Sequence, residues 1–150
     1  MITLPWKKRL KIPNRYTPVI GSVGSVVDTN IITKMIIKDS AAMAIFDKVT
    51  ILYTSVIVVG ELFFAAANSR RREENFSKFR NVLSEFEIIP IDDPVCLAFA
   101  ELKVTLKKKG TPIPDNDVWI AACALSRGLS VATLDRHFSE IPQLEIIRAG

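Results

Sequence analysis

Short apolar runs alternate with segments of helical periodicity along most of this chain. An apolar run bounded by polar residues predicts a buried strand, whereas apolar residues three or four positions apart predict a helix. Strands that alternate with helices and are apolar on both faces are typical of a parallel sheet covered on both sides. The sequence therefore predicts a three-layer α/β/α fold with a central parallel sheet of four to five strands. The predicted strands are 23–27, 49–53, 86–91 and 129–133, with 144–147 as an optional fifth, and the predicted helices are 31–38, 40–48, one that begins at 54 or 55, 69–84, 92–109 and one between 115 and 128.

Several predicted helix ends carry residues that commonly cap helices. A side-chain oxygen at the first position accepts a hydrogen bond from a free backbone N–H, and glycine after the last turn adopts the left-handed conformation. Gly110 is the predicted C-terminal cap of the helix that ends at Lys109. The predicted N-terminal caps are Ser40, Thr54 or Ser55, Asp92 or Asp93 before Pro94, and Asp115 or Asn116.

The composition is that of one ordinary folded domain. The chain has 150 residues, of which 49% are hydrophobic and 24% are charged, which argues against disorder and against a second comparable domain. The longest nearly apolar run, 51–59, is far shorter than the roughly 18 to 20 residues that cross a membrane. Cys96 and Cys123 lie in apolar helical patterns, where we expect reduced core thiols. Together these features predict a soluble protein of a reducing compartment, the cytoplasm.

The positive charge is concentrated near the N-terminus. The net charge is +4, and the first 20 residues contain five lysines and arginines and no acid. We therefore divide the chain into a basic N-terminal extension, residues 1–22, and a folded domain, residues 23–150. A flexible extension or an upstream start codon is favoured over contact with phosphate or an anionic surface. The pattern does not fit a signal peptide, and an organellar transit peptide remains an alternative.

Four carboxylates occupy positions that suggest a shared site. Asp28 and Asp135 each follow an apolar strand, Asp117 lies in the first turn of a helix, and Glu61 lies two turns into another. Individually, a strand-end cap, a turn, a pair with Arg136 or the helix dipole would explain the aspartates. Ligands bind at the carboxyl edge of open parallel sheets, and acids that meet there repel one another unless a cation neutralises them. Their oxygen ligands favour Mg²⁺ or Mn²⁺.

Other chemistries are poorly supported. His137 is the single histidine, which excludes a multi-histidine zinc centre and a two-histidine ribonuclease mechanism, and we interpret it as a surface or turn residue. The chain has no phosphate-binding loop motif, because Gly21 and Gly24 lie before or at the start of the first strand instead of following it.

Four ordered segments resemble the PIN-domain nucleases, especially the VapC-type toxins. They are VVDTN at 26–30, SVIVVGEL at 55–62, IPDNDVWIAA at 113–122 and VATLDRHF at 131–138, and the resemblance covers about residues 23–148. It implies a PIN fold and a metal-dependent endoribonuclease that uses Mg²⁺ or Mn²⁺ and leaves 5′-phosphate and 3′-hydroxyl ends. It also implies a homodimer and a small antitoxin partner that blocks the site. Residue by residue, it implies a catalytic, metal-binding quartet of Asp28, Glu61, Asp117 and Asp135, with Asn30, Asn116 and Thr133 as accessory residues.

Three alternatives remain at this stage. A phosphatase of the haloacid-dehalogenase type would carry an aspartate where this chain has Asn30, which weakens that hypothesis. A noncatalytic RNA-binding or scaffold protein with a PIN-like fold is disfavoured by the complete quartet, whereas a housekeeping RNA-processing nuclease shares the chemistry of a toxin. The basic clusters at 70–72 and 107–109 are interpreted either as guides for RNA or as solvated helix faces.

Overall fold

The computed structural model describes residues 24–149. The predicted basic extension, residues 1–22, lies outside the described residues, as do positions 23 and 150. The described strands are β1 (Gly24–Val27), β2 (Ile51–Ser55), β3 (Glu87–Ile89), β4 (Ser130–Ala132) and β5 (Ile146–Ile147), and the described helices are α1 (Thr29–Ile36), α2 (Ser40–Phe46), α3 (Val56–Ala67), α4 (Arg72–Leu83), α5 (Asp93–Lys109), α6 (Asp115–Ser126) and a 3₁₀ helix, Arg136–Glu140.

The five strands form one parallel sheet in the order β3-β2-β1-β4-β5. The predicted three-layer α/β/α fold with a parallel sheet is confirmed. The chain runs outward from β1 through β2 to β3 and then crosses to the other side of β1 to form β4. This reversal places the carboxyl ends of β1 and β4 side by side, which is where open parallel sheets bind ligands.

The core lies between the central strands and the helices that cover them. Val26 and Val27 of β1 are fully buried, as is Val131 of β4. Helix α6 is buried on most of its surface, from Val118 to Ala124 with the exception of Trp119. The Trp119 ring stacks on Phe99 of α5 with 3.7 Å between the ring centroids. The stacked rings fix the start of α6 against α5.

The structure corrects two predicted caps. Asp39, not Ser40, caps α2, because its carboxylate accepts a hydrogen bond from the backbone N–H of Ala42 at 3.0 Å. The N-cap of α6 is Pro114 and makes no side-chain bond, so the prediction of Asp115 or Asn116 as this cap is wrong. The other caps are confirmed at Ser55, at Asp92 and at Gly110, which has a φ of 73°.

The buried line of α3 consists of Val58, Leu62 and Ala66, whereas Val56 is 40% exposed. The prediction that both cysteines are core thiols is correct for only one of them. Cys96 is an exposed thiol on α5, so it is not a core residue, whereas Cys123 is buried. Among the described residues, no helix combines the length and the apolar character needed to cross a membrane.

Candidate functional site

Asp28 directly follows β1 at the carboxyl edge of the sheet and is only 4% exposed. One carboxylate oxygen accepts a hydrogen bond from the backbone N–H of Thr29 at 2.8 Å and caps α1, and the other accepts one from the Thr133 hydroxyl at 2.7 Å. Burial raises the pKa of Asp28 to about 6 although both hydrogen bonds lower it, and the carboxylates of Asp117 and Glu61 raise it further. Ionised Asp28 is therefore a buried anion that lacks a compensating charge.

Glu61 lies in the second turn of α3, beside the buried Leu62. Its side chain is half-buried, and its Oε1 accepts a hydrogen bond from the Thr29 hydroxyl at 2.9 Å. Thr29 thus binds Asp28 through its backbone and Glu61 through its side chain. One residue at the start of α1 holds the two acids at the same end of the sheet.

Asp117, Asp135 and His137 form a tight group at the open side of this edge. Asp117 is in the first turn of α6, and Asp135 caps the 3₁₀ helix that contains His137. The His137 Nδ1 atom lies 3.0 Å from Asp117 Oδ2 and 3.2 Å from Asp135 Oδ1. One ligand atom from each side chain lies within 4.8 Å of the others. Burial raises the pKa of Asp117, the His137 contact lowers it, and the Asp135 carboxylate raises it.

Two polar side chains connect the loops that carry the acids. The fully buried Thr133 donates its hydroxyl to Asp28 and accepts a hydrogen bond from the backbone N–H of Asp135 at 2.9 Å. The Asn30 side-chain oxygen accepts a hydrogen bond from the backbone N–H of Leu134 at 3.3 Å. The segment after β4 is thereby fixed to the segment after β1.

The site fits a divalent cation. Within residues 24–149, the lysines and arginines described in ion pairs contact acids outside the site, namely Glu74, Asp92, Asp115 and Glu140. Burial and neighbouring carboxylates raise the pKa of both Asp28 and Asp117, so these ionised groups lack sufficient positive charge nearby. Carboxylate oxygens are the ligands that Mg²⁺ and Mn²⁺ prefer in proteins. A bound divalent cation would remove this imbalance.

Some residues singled out in the sequence lie apart from these contacts. Asn116 is exposed on the first turn of α6 and takes no part in the hydrogen bonds described above. Asp115 pairs with Lys103 at 2.8 Å, with the aspartate side chain 65% exposed. Asp115 therefore offers a carboxylate on the same helix as Asp117 but outside the site.

The two basic clusters are exposed but differ in their positions. Arg71 and Arg72 belong to the segment around the start of α4, where Arg71 pairs with Glu74 at 3.7 Å and the Arg72 guanidinium lies 5.7 Å from the centroid of the Phe76 ring. Lys109, at the end of α5, pairs with Glu140 of the 3₁₀ helix at 3.2 Å. The second cluster is therefore joined to the element that carries His137.

Comparison with known proteins identifies the fold family. Residues 25–144 match the family described as PIN domain. The chain belongs to the PIN domain family. It is 35% identical over 101 residues to Ribonuclease VapC5 of Mycobacterium tuberculosis, covering 63% of this chain and 74% of that protein. It is 31% identical over 124 residues to Ribonuclease VapC2 of Rickettsia felis, covering 79% and 92%.

A solved structure supports the same assignment. The crystal structure of VapBC-5 from Mycobacterium tuberculosis, a member of the VapBC family of toxin-antitoxin systems, superposes with a TM-score of 0.71 and 27% sequence identity. The alignment covers 84% of this chain and 98% of that chain. The resemblance to the PIN-domain family found in the four sequence segments is thereby confirmed.

Two contacts of this PIN domain were missed from the sequence. The Thr29 hydroxyl meets Glu61 across 32 positions of the chain, and no local pattern marks that contact. The sequence predicts a surface or turn position for His137, which is half-exposed in a 3₁₀ helix, but its ring also faces Asp117 and Asp135. A usable signal was present, because the single histidine follows Asp135 by two positions.

Proposed function

We propose that this PIN domain is a Mg²⁺- or Mn²⁺-dependent endoribonuclease that hydrolyses RNA phosphodiester bonds and acts as the toxin of a toxin–antitoxin pair. The proposal rests on the buried Asp28 carboxylate, which lies where the strand order reverses between β1 and β4. Burial and other carboxylates raise its pKa to about 6. The ribonuclease names of the two similar proteins and the toxin-antitoxin system that contains the solved relative support the substrate class and the biological role.

The residues of the site would have different roles. Asp28, Asp117 and Asp135 supply oxygen ligands, and Glu61, held by the Thr29 hydroxyl, supplies a further ligand or orients the attacking water. A bound divalent cation lowers the pKa of water and offsets negative charge on the scissile phosphate. Thr133 and Asn30 act as accessory residues that keep the acid-bearing loops together.

The catalytic proposal is tested by comparing two aspartates of one helix. Asp117→Asn should abolish Mg²⁺-dependent cleavage of RNA, because it removes a site carboxylate. Asp115→Asn makes the same chemical change two positions earlier, on a side chain that pairs with Lys103, and should cut like the wild type. Cleavage is followed on gels with purified protein and varied RNAs, and the product ends are mapped for 5′-phosphate. Equal activity in the wild type and Asp117→Asn would contradict the proposal.

The partner proposal has its own experiment. The chain is expressed alone and together with any short reading frame found beside its gene. Growth arrest when the chain is expressed alone, relief by the second gene and co-purification of the two products are expected of a toxin and its antitoxin. Light scattering of the purified chain tests the homodimer. A chain that cuts RNA but neither arrests growth nor has a neighbouring partner would favour housekeeping RNA processing.

A further inference from the structure

We propose that His137 is a nitrogen ligand of the metal site and makes that site selective for Mn²⁺ over Mg²⁺. This inference depends on the metal site of the proposed function but concerns a residue outside the acidic quartet. It starts from the position of one atom, His137 Nδ1, which lies 3.0 Å from a carboxylate oxygen of Asp117 and 3.2 Å from one of Asp135.

These distances are compatible with three ligands of a single ion. Adjacent octahedral ligands at about 2.1 Å from a cation lie about 3 Å from each other. The nitrogen meets this condition toward both carboxylates. Asp117 lies on α6 and Asp135 caps the 3₁₀ helix. The imidazole is the group that both of them contact.

The backbone holds His137 in this place. Its N–H donates a hydrogen bond to the Asp135 carboxylate at 2.9 Å, within the cap of the 3₁₀ helix. The next residue, Phe138, is fully buried and fixes the helix to the core. The histidine side chain is itself 50% exposed, so core packing does not explain why the ring points at the acids.

A nitrogen ligand changes which metals the site prefers. Carboxylate and water ligands suit both Mg²⁺ and Mn²⁺, but Mg²⁺ takes oxygen ligands, whereas Mn²⁺ belongs to the first-row transition metals, which also bind nitrogen ligands. Removal of His137 should therefore weaken Mn²⁺ binding more than Mg²⁺ binding.

The opposite interpretation predicts the opposite sign. If His137 were only an ion-pair partner of Asp117 and Asp135, it would compete with a cation for their oxygens. Its removal would then leave Mn²⁺ affinity unchanged or increase it. The direction of the change therefore separates a ligand from a competitor.

The experiment measures Mn²⁺ binding to the purified full chain by electron paramagnetic resonance. In the wild type, pulsed measurements should show hyperfine coupling of Mn²⁺ to a ¹⁴N nucleus. His137→Gln should lose that coupling and bind Mn²⁺ at least about tenfold more weakly, because changes around metal ligands typically lower metal affinity about 10- to 100-fold. Competition with Mg²⁺ should show a smaller change in Mg²⁺ affinity. Arg136→Gln, an exposed neighbour on the same 3₁₀ helix, should retain both the coupling and the affinity.

The outcomes separate the two proposals. Wild-type protein that binds no Mn²⁺ would overturn the metal site itself. Mn²⁺ bound without nitrogen coupling, or bound equally well or more tightly by His137→Gln, would overturn only the role of His137. Circular dichroism of each variant shows that a loss of binding does not come from unfolding.

Discussion

The candidate site has two halves that are built differently. The inner pair, Asp28 and Glu61, is held by threonine hydroxyls and lies against the core, with Asp28 4% exposed. In the outer pair, the side chains of Asp117 and Asp135 are 15% and 33% exposed, and their common contact is the half-exposed ring of His137. The core therefore encloses the inner pair, whereas the outer pair shares one surface side chain as its contact and is more exposed to solvent.

The largest effect is expected from the inner pair. Asp28→Asn keeps the size of the side chain and an oxygen that can accept the Thr29 N–H, but it removes the buried charge. RNA cleavage at pH 7 should fall by more than about a hundredfold, beyond the 10- to 100-fold typical of residues outside the metal ligands. Initial rates with saturating Mg²⁺ measure this loss, and activity near that of the wild type would contradict the importance of the inner pair.

The same substitution should change the pH dependence of stability. An aspartate with an ordinary pKa of 3.8 that rises to about 6 on folding binds its proton more tightly in the folded state. Its stabilising effect is complete below about pH 4 and is lost as the pH rises through about 6. Relative to Asp28→Asn, the metal-free wild type should lose up to about 3 kcal/mol of unfolding free energy between these pH values.

Urea unfolding with a chelator present, at several pH values, tests this prediction. Subtraction of the variant curve from the wild-type curve removes the contributions of groups common to both proteins. A difference that is flat between pH 4 and pH 7 would show that burial does not hold a proton on Asp28.

A smaller loss is expected when the support of the inner pair is removed. Thr133→Val deletes the hydroxyl that donates to Asp28 and accepts from the Asp135 backbone. Cleavage should fall about 10- to 100-fold, as for other residues that orient metal ligands, and Thr133→Ser should restore most of it. Thr54→Val is the control, because this equally buried hydroxyl donates to the Val27 carbonyl and not to an acid. Equal losses in both valine variants would indicate a general effect on packing.

The inner pair also shows how far the sequence predicts the structure. Apolar runs predicted the parallel sheet, and the order of strands and helices placed Asp28 and Asp135 at its carboxyl edge. Helix caps are harder to predict, because neighbours such as Asp39 and Ser40 can both accept the same kind of hydrogen bond. Contacts such as Thr29 with Glu61 depend on how α1 packs against α3, which local periodicity does not encode.

The smallest effect concerns the support of the outer pair. Lys109 pairs with Glu140 at 3.2 Å and also donates to its backbone carbonyl at 3.0 Å, which joins α5 to the 3₁₀ helix of His137. Because both side chains are more than 40% exposed, such a pair contributes at most about 1 kcal/mol. Lys109→Gln should therefore lower the cleavage rate no more than about fivefold. Lys108 is an exposed neighbour of the same charge, so Lys108→Gln is the control for attraction of RNA. An equal loss in both variants would mean that charge causes the effect and that support of the outer pair does not.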